Sequence, residues 1–278
     1  MMAVRSFIIP ILLFCALGAS AAIDPETAPA SITGTYNVTF ALVAVPSDVA
    51  YSLVPEGYTI LPPSSEQFPG IGDGKLPIFI ELGREANAGP PLLNIENFQE
   101  AKVEVPNVLR VEDSEAPFLY KRWIAVDDAI DVFGSWVSAR CECDLQHSAL
   151  TRVVQIQFGL NTSKEEFNPS NSSDATSFDY SIVGAVDGTF TPTEGEPQWP
   201  LSTFESVGGQ PWFAEYPTCA QHFYEDSSVP VTYLTGSVTL YPPYAGANAT
   251  EPVTFVAQAI HGIFDFKIVG PLICDYFV

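Results

Sequence analysis

Few side chains in this sequence are placed to do chemistry. Glu81 and Glu100 lie in two alternating stretches, 76–82 and 98–105. Paired carboxylates can perform acid–base work when one is buried and its pKa is raised. The three histidines, His147, His222 and His261, have no metal-ligand spacing, and no Gly-x-Ser-x-Gly elbow occurs. Cys141, Cys143 and His147 could form a small metal set, but in an oxidising compartment disulfides are the expected state of such cysteines, and no metal is expected. The run Phe-Pro-Gly-Ile-Gly-Asp-Gly-Lys at 68–75 lacks phosphate-loop spacing, lacks a Ser or Thr after Lys75, and follows no strand pattern. It is a turn.

The elements that must carry these residues are mostly short strands. Residues 36–45 alternate, with Tyr36, Val38, Phe40 and Leu42 on one face. Pro46 and Ser47 open a short helix with Ala50, Leu53 and Val54 as its apolar stripe, and Pro55 stops it. In 98–105, Phe98, Glu100, Lys102 and Glu104 share one face. Residues 83–97 and 192–211 read as loops, 119–126 as a strand and 127–136 as a short helix. Residues 153–160 read as a strand and 163–177 as a polar surface insertion. Residues 180–190 predict a hairpin turning at Asp187-Gly188, and 229–241 a long strand bulged at Gly236. No period of 20–50 residues recurs. The sum is a mainly β (α+β), largely antiparallel fold.

Composition sets the compartment. Arg5 precedes an apolar run, 7–17, and small residues, 18–22, which together read as a cleaved secretory signal. The expected organisation is a 1–22 signal and one domain over 23–278, secreted and extracellular. The formal charge is -22, and loss of Arg5 leaves 10 basic residues against 33 acidic ones. That balance excludes nucleic acid and anionic membrane surfaces as partners. With Cys15 in the signal, Cys141, Cys143, Cys219 and Cys274 remain. Four cysteines allow three pairings. Bridges from Cys141 and Cys143 to Cys219 and Cys274, in either order, are favoured over a Cys141–Cys143 link. Asn37, Asn161, Asn171 and Asn248 are glycosylation sequons.

The stretch 120–147 resembles the segment of acetoacetate decarboxylase-like proteins that carries their Schiff-base lysine. Ala129, Gly134, Ser138 and Ala139 follow that pattern without a gap, but Glu142, between Cys141 and Cys143, stands where the lysine should be. The Leu-Val-Pro-Glu-Gly-Tyr run at 53–58 is similar to the family's short helix ending near Val-Pro. The resemblance implies an antiparallel β barrel or cone with a central cavity and a few short helices. It places Glu81 and Glu100 where the family has its two pocket carboxylates, and Trp136 and Glu142 as ligand contacts. Two like charges facing one cavity should leave at least one pKa raised. The family's pocket arginine falls at Tyr36, and Arg140 replaces the aromatic residue before its Pro-Lys pair.

Imine chemistry needs a lysine amine that is neutral near the working pH. With Glu142 in the lysine's place, decarboxylation of that kind is not expected, nor is a cofactor. Two readings remain. One is a secreted glycoprotein binding a small organic molecule in the barrel cavity. The other is a cofactor-free enzyme, lyase- or hydrolase-type, using Glu81 and Glu100 as acid and base on a small oxygenated substrate.

Overall fold

The computed structural model describes residues 28, 30–90, 95–126, 177–182, 184–195, 197–214 and 218–278. Strand β1 (Ile32–Pro46) leads into helix α1 (Ser47–Leu53). The hairpin β2 (Lys75–Gly89) and β3 (Ile95–Leu109) follows, then β4 (Pro117–Val126). After β5 (Phe178–Ile182) and β6 (Val186–Pro192) comes helix α2 (Leu201–Gly208). The chain ends with β7 (Trp212–Phe213), β8 (Thr218–Tyr224), β9 (Thr232–Leu240) and the 21-residue β10 (Val253–Ile273).

These strands form one sheet in the order β1-β2-β3-β4-β7-β8-β10-β9-β6-β5, and a β1–β10 pairing closes its first seven into a barrel. All neighbours are antiparallel except β4 and β7, so the barrel is mixed. Strand β10 makes this possible by its length. Its first half pairs with β9 and its second with β8, while its middle pairs with β1 throughout. Strands β9, β6 and β5 thereby continue the sheet beyond the barrel and fold over its outside.

That second layer explains why the barrel strands are apolar on both faces. Ala41, Val43, Ile78, Ile80, Leu82, Ala101 and Val103 point outward and pack with Tyr180, Phe190, Leu234 and Val238 of the covering layer. Tyr36, Val38, Phe40, Leu42, Phe79, Phe264 and Phe266 point inward and form a second cluster. Helix α2 adds Phe204 and Val207 to that inner cluster.

The mainly β reading and the barrel are therefore correct, and several local expectations change. The 83–97 loop is strand at both ends, because β2 and β3 run on as a long hairpin. The 192–211 loop contains α2. The 178–192 hairpin turns at Gly184 and Ala185, leaving Asp187 and Gly188 inside β6. Gly236 pairs regularly with both Ala257 and Phe190, so β9 has no bulge there. A Cβ at Gly236 would lie 2.0 Å from the Thr189 carbonyl oxygen, so close strand approach is what requires glycine.

Candidate functional site

Register places a charged column inside the barrel. In the β2–β3 pair, Phe79 lies opposite Glu104, Glu81 opposite Lys102, and Gly83 opposite Glu100. All these side chains leave the same face of the hairpin, and that face is the interior. Lys102 Nζ lies 2.7 Å from Glu81 Oε2, 2.7 Å from Glu100 Oε2 and 4.0 Å from Glu85 Oε1. The Lys102 and Glu81 side chains are 2% and 1% exposed, which removes water from the ion pair. The ammonium also stands 5.1 Å from the centroid of the Tyr36 ring. Gly83 makes room for that ring, since a Cβ there would approach Tyr36 Cε2 to 2.6 Å.

Burial alone would lower the pKa of Lys102, but the charges of Glu100 and Glu81 outweigh it and hold Lys102 well above the ordinary range. Burial pushes Glu100 up, yet Lys102, a hydrogen bond with Glu85 and the charge of Lys121 together bring it below the ordinary carboxyl value. The structure thus joins Glu81 and Glu100 in one buried cluster and corrects their electrostatics. They are not two bare like charges, because Lys102 sits between them. Glu100 is lowered rather than raised.

A second pair, absent from the sequence reading, lies beside the first. Lys121 Nζ is 3.2 Å from Glu104 Oε1, with side chains 2% and 0% exposed. Strict alternation along β4 would put Lys121 and Trp123 on one face. The register slips between Val103 and Glu104, so that Val103 opposes Trp123 while Glu104 opposes Lys121. Trp123 accordingly packs in the outer core, while Lys121 turns inward. Burial, only partly offset by Lys121, raises the Glu104 carboxyl to about 8.

Aromatic side chains complete the interior. Lys121 Nζ lies 4.3 Å from the Trp212 ring centroid. Trp212 stacks on His222 and His222 on Tyr224, at centroid distances of 5.8 and 5.6 Å. Burial, with the positive charges of Lys121 and Lys102, keeps His222 neutral, its pKa well below the usual value. Burial likewise pushes the Tyr36 and Tyr224 hydroxyls well up. Four buried polar atoms here have no hydrogen-bond partner among the described residues: Tyr36 Oη, Tyr224 Oη, Trp212 Nε1 and Glu104 Oε2. Tyr224 and Trp212 are only partly buried as residues, so they link this interior to the surface.

The other predicted residues fall elsewhere. Cys219 and Cys274 are bonded to each other, with an S–S distance of 2.01 Å, which overturns their expected bridges to Cys141 and Cys143. Strand β8 and the turn after β10 are neighbours, and that adjacency brings the two together. Cys141, Cys143, Glu142, Trp136, His147, Asn161 and Asn171 lie outside the described residues, as do the 1–22, 127–136 and 153–160 segments. Asn248 is exposed in a turn, while Asn37 is half-buried in β1 between Arg84 and Ile263. His261 points outward, where Thr39 bridges it to the Tyr180 hydroxyl at 3.0 and 2.6 Å, and burial lowers its pKa to about 4. Lys75 and the 70–74 turn line a surface cleft of about 480 Å³ with Ser47, Tyr51 and Phe68. Among the described residues, no group of three or more His, Cys, Asp or Glu side chains could hold a metal ion.

No family model and no curated protein matches the sequence. Solved structures do resemble it. The enduracididine biosynthesis enzyme MppR with HEPES buffer bound aligns at a TM-score of 0.50 and 15% identity, covering 91% of this chain and 89% of its own. MppR with the condensation product of pyruvate and imidazole 4-carboxaldehyde gives 0.50 and 14%, over 87% and 88%. The acetoacetate decarboxylase of Legionella pneumophila aligns at 0.41 and 13%, over 87% and 88%. The shared feature is the fold: this chain has an acetoacetate decarboxylase-like barrel.

Proposed function

We propose that this protein is a secreted glycoprotein that binds a small organic molecule inside its barrel, without imine chemistry at the position where acetoacetate decarboxylases carry their lysine. The observation behind this reading is the set of buried polar atoms of Tyr36, Glu104, Trp212 and Tyr224 that have no hydrogen-bond partner among the described residues. A buried polar group left unpaired costs about 1–3 kcal/mol. Four in one interior, beside two ammonium groups, describe a lining that a polar guest would complete.

Lys102 supports the same reading from the chemical side. An ammonium clamped by two carboxylates at 2.7 Å has no free amine with which to attack a carbonyl. Neighbours of the same fold hold small organic molecules, HEPES in one and a pyruvate condensation product in another. Secretion is supported by the apolar 7–17 run and by the Cys219–Cys274 bond, and glycosylation by the exposed Asn248 sequon. The enzymatic alternative through Glu81 and Glu100 is weaker, because both carboxylates are engaged by Lys102.

Native mass spectrometry of the protein, purified from a secreting host without denaturation, tests the binding. The wild type should carry a small non-covalent mass that a Tyr36→Phe/Tyr224→Phe double variant, folded by circular dichroism, retains poorly. Bare protein mass in every wild-type preparation, including those incubated with small organic acids and alcohols, would overturn the reading.

A further inference from the structure

The two buried lysines have unequal surroundings. Lys102 is clamped between two carboxylates, with Glu81 and Glu100 at 2.7 Å and Glu85 at 4.0 Å. Among the described residues, Lys121 has one carboxyl oxygen, at 3.2 Å, and the face of Trp212. An ammonium carries three N–H donors, so Lys121, with one close carboxyl oxygen against two at Lys102, retains the greater hydrogen-bonding capacity. The unused groups gather on the same side. Glu104 Oε2 has no partner among the described residues, and neither does Trp212 Nε1 in the ring that Lys121 faces. Trp212 belongs to the part of the interior that reaches the surface.

We propose that Lys121 and Glu104 form a proton-linked oxyanion site, in which the carboxylate head of a small organic acid binds the Lys121 ammonium and the Trp212 indole N–H while Glu104 holds a proton taken up with it. This rests on the reading of the barrel interior as a binding site and names its ligand class and contacts. No covalent bond forms. The anion supplies the negative charge next to Lys121, and the neutral Glu104 carboxyl donates a hydrogen bond to it instead of repelling it.

The electrostatic setting of Glu104 fits that role. Facing it are Glu81 from β2, Lys102 on its own strand, Lys121 from β4, and Tyr224 and His222 from β8, with Tyr36 of β1, Glu85 and Glu100 farther along the interior. Burial keeps both tyrosines and His222 neutral, and the charges of Glu81 and Lys102 oppose each other. Glu104, raised to about 8, is then the interior carboxyl poised to exchange a proton near neutrality. A bound anion favours its neutral form further.

Isothermal titration of the folded, disulfide-intact protein with acetate and benzoate, in buffers of different ionisation enthalpy from pH 6.5 to 9, tests the site. Saturable binding is expected, with uptake of about half a proton at pH 8 and an affinity that falls about tenfold per pH unit above that value. Lys121→Met should abolish binding. Glu104→Gln, which keeps a neutral hydrogen-bonding side chain, should show no proton uptake and a flat pH profile in whatever binding it retains. That variant remains informative if Lys121→Met does not fold. Absence of saturable heat from either acid, pH-independent binding, or uptake that persists in Glu104→Gln would overturn the proposal. Nitrate binding as tightly as acetate would overturn the organic-acid assignment. Benzyl alcohol binding in place of the acids would refute this site while leaving the barrel reading intact. Silence from all these probes, together with a bare native mass, would refute both.

Discussion

Replacing Lys102 with Met keeps the length of the side chain and removes the charge that holds the interior carboxylates together. Lys102 is 2% exposed and has carboxylate oxygens at 2.7 Å on two sides. Removing one partner of a buried ion pair costs about 3–5 kcal/mol, because the remaining charge keeps its desolvation penalty. For a chain of this size that corresponds to a fall in Tm of about 6–20 °C at pH 7. The pH dependence has a definite sign. In the wild type the lowered pKa of Glu100 contributes stability that is present above its unfolded value and is lost as pH falls through the folded one. In the variant, Glu81 and Glu100 have lost their cation, and burial then pushes the Glu100 carboxyl up, so acid relieves the defect. The gap between variant and wild type should narrow as pH falls from 7 towards 5. Thermal and urea unfolding by circular dichroism reads both effects. The triple change Lys102→Met/Glu81→Leu/Glu100→Leu should recover most of the loss, since an apolar replacement of a whole ionic group is close to neutral. A loss below about 1 kcal/mol at pH 7, or a gap constant across pH, would show that the cluster is solvated and would refute the buried-network description.

Glu100→Gln should destabilise the protein by about 1.5–3 kcal/mol at pH 7, with the effect vanishing below the folded pKa of Glu100 in acid unfolding curves; a stabilised variant would restore the like-charge picture. Cys219→Ala/Cys274→Ala opens a link between residues 55 apart and should cost about 4 kcal/mol on the chain-entropy model. Non-reducing peptide mapping should find those two cysteines in one fragment, and a bridge from either to Cys141 or Cys143 would contradict the pairing. Borohydride with acetoacetate should add no mass to the intact protein, because Lys102 is held as an ammonium between Glu81 and Glu100 and Glu142 stands in place of the Schiff-base lysine. Labelling at any lysine would refute this.

The fold was legible where one-residue alternation meets a turn signal. Tyr36, Val38, Phe40 and Leu42 share the interior face of β1 as their spacing indicates, and α1 ends just before Pro55. Glu81 and Glu100 were identified, but the character of their site was not. In isolation a strand reading Glu-x-Lys-x-Glu describes a solvent face as readily as an interior one, so the spacing gives Lys102 and Glu104 no role. The clue lay in the opposite face. Ala101, Val103 and Val105 are apolar because the covering layer of β5, β6 and β9 buries them, which leaves the charged face to line the barrel. Lys121 carried no such signal. Its inward turn depends on a register slip opposite Val103 and Glu104, a property of the β3–β4 pair that neither strand encodes alone. The Cys219–Cys274 bond is of the same kind, set by which strands β10 adopts as neighbours.

A crystal structure of the protein as secreted, without added ligand, tests the interior site most directly. Connected difference density larger than a water molecule is predicted within about 2.7–3.2 Å of Trp212 Nε1 and of Tyr36 or Tyr224 Oη, with Lys102 undisturbed between Glu81 and Glu100. An interior in which those four polar atoms are satisfied by isolated waters or by protein groups, in the secreted protein and after soaking with benzoate alike, would contradict it.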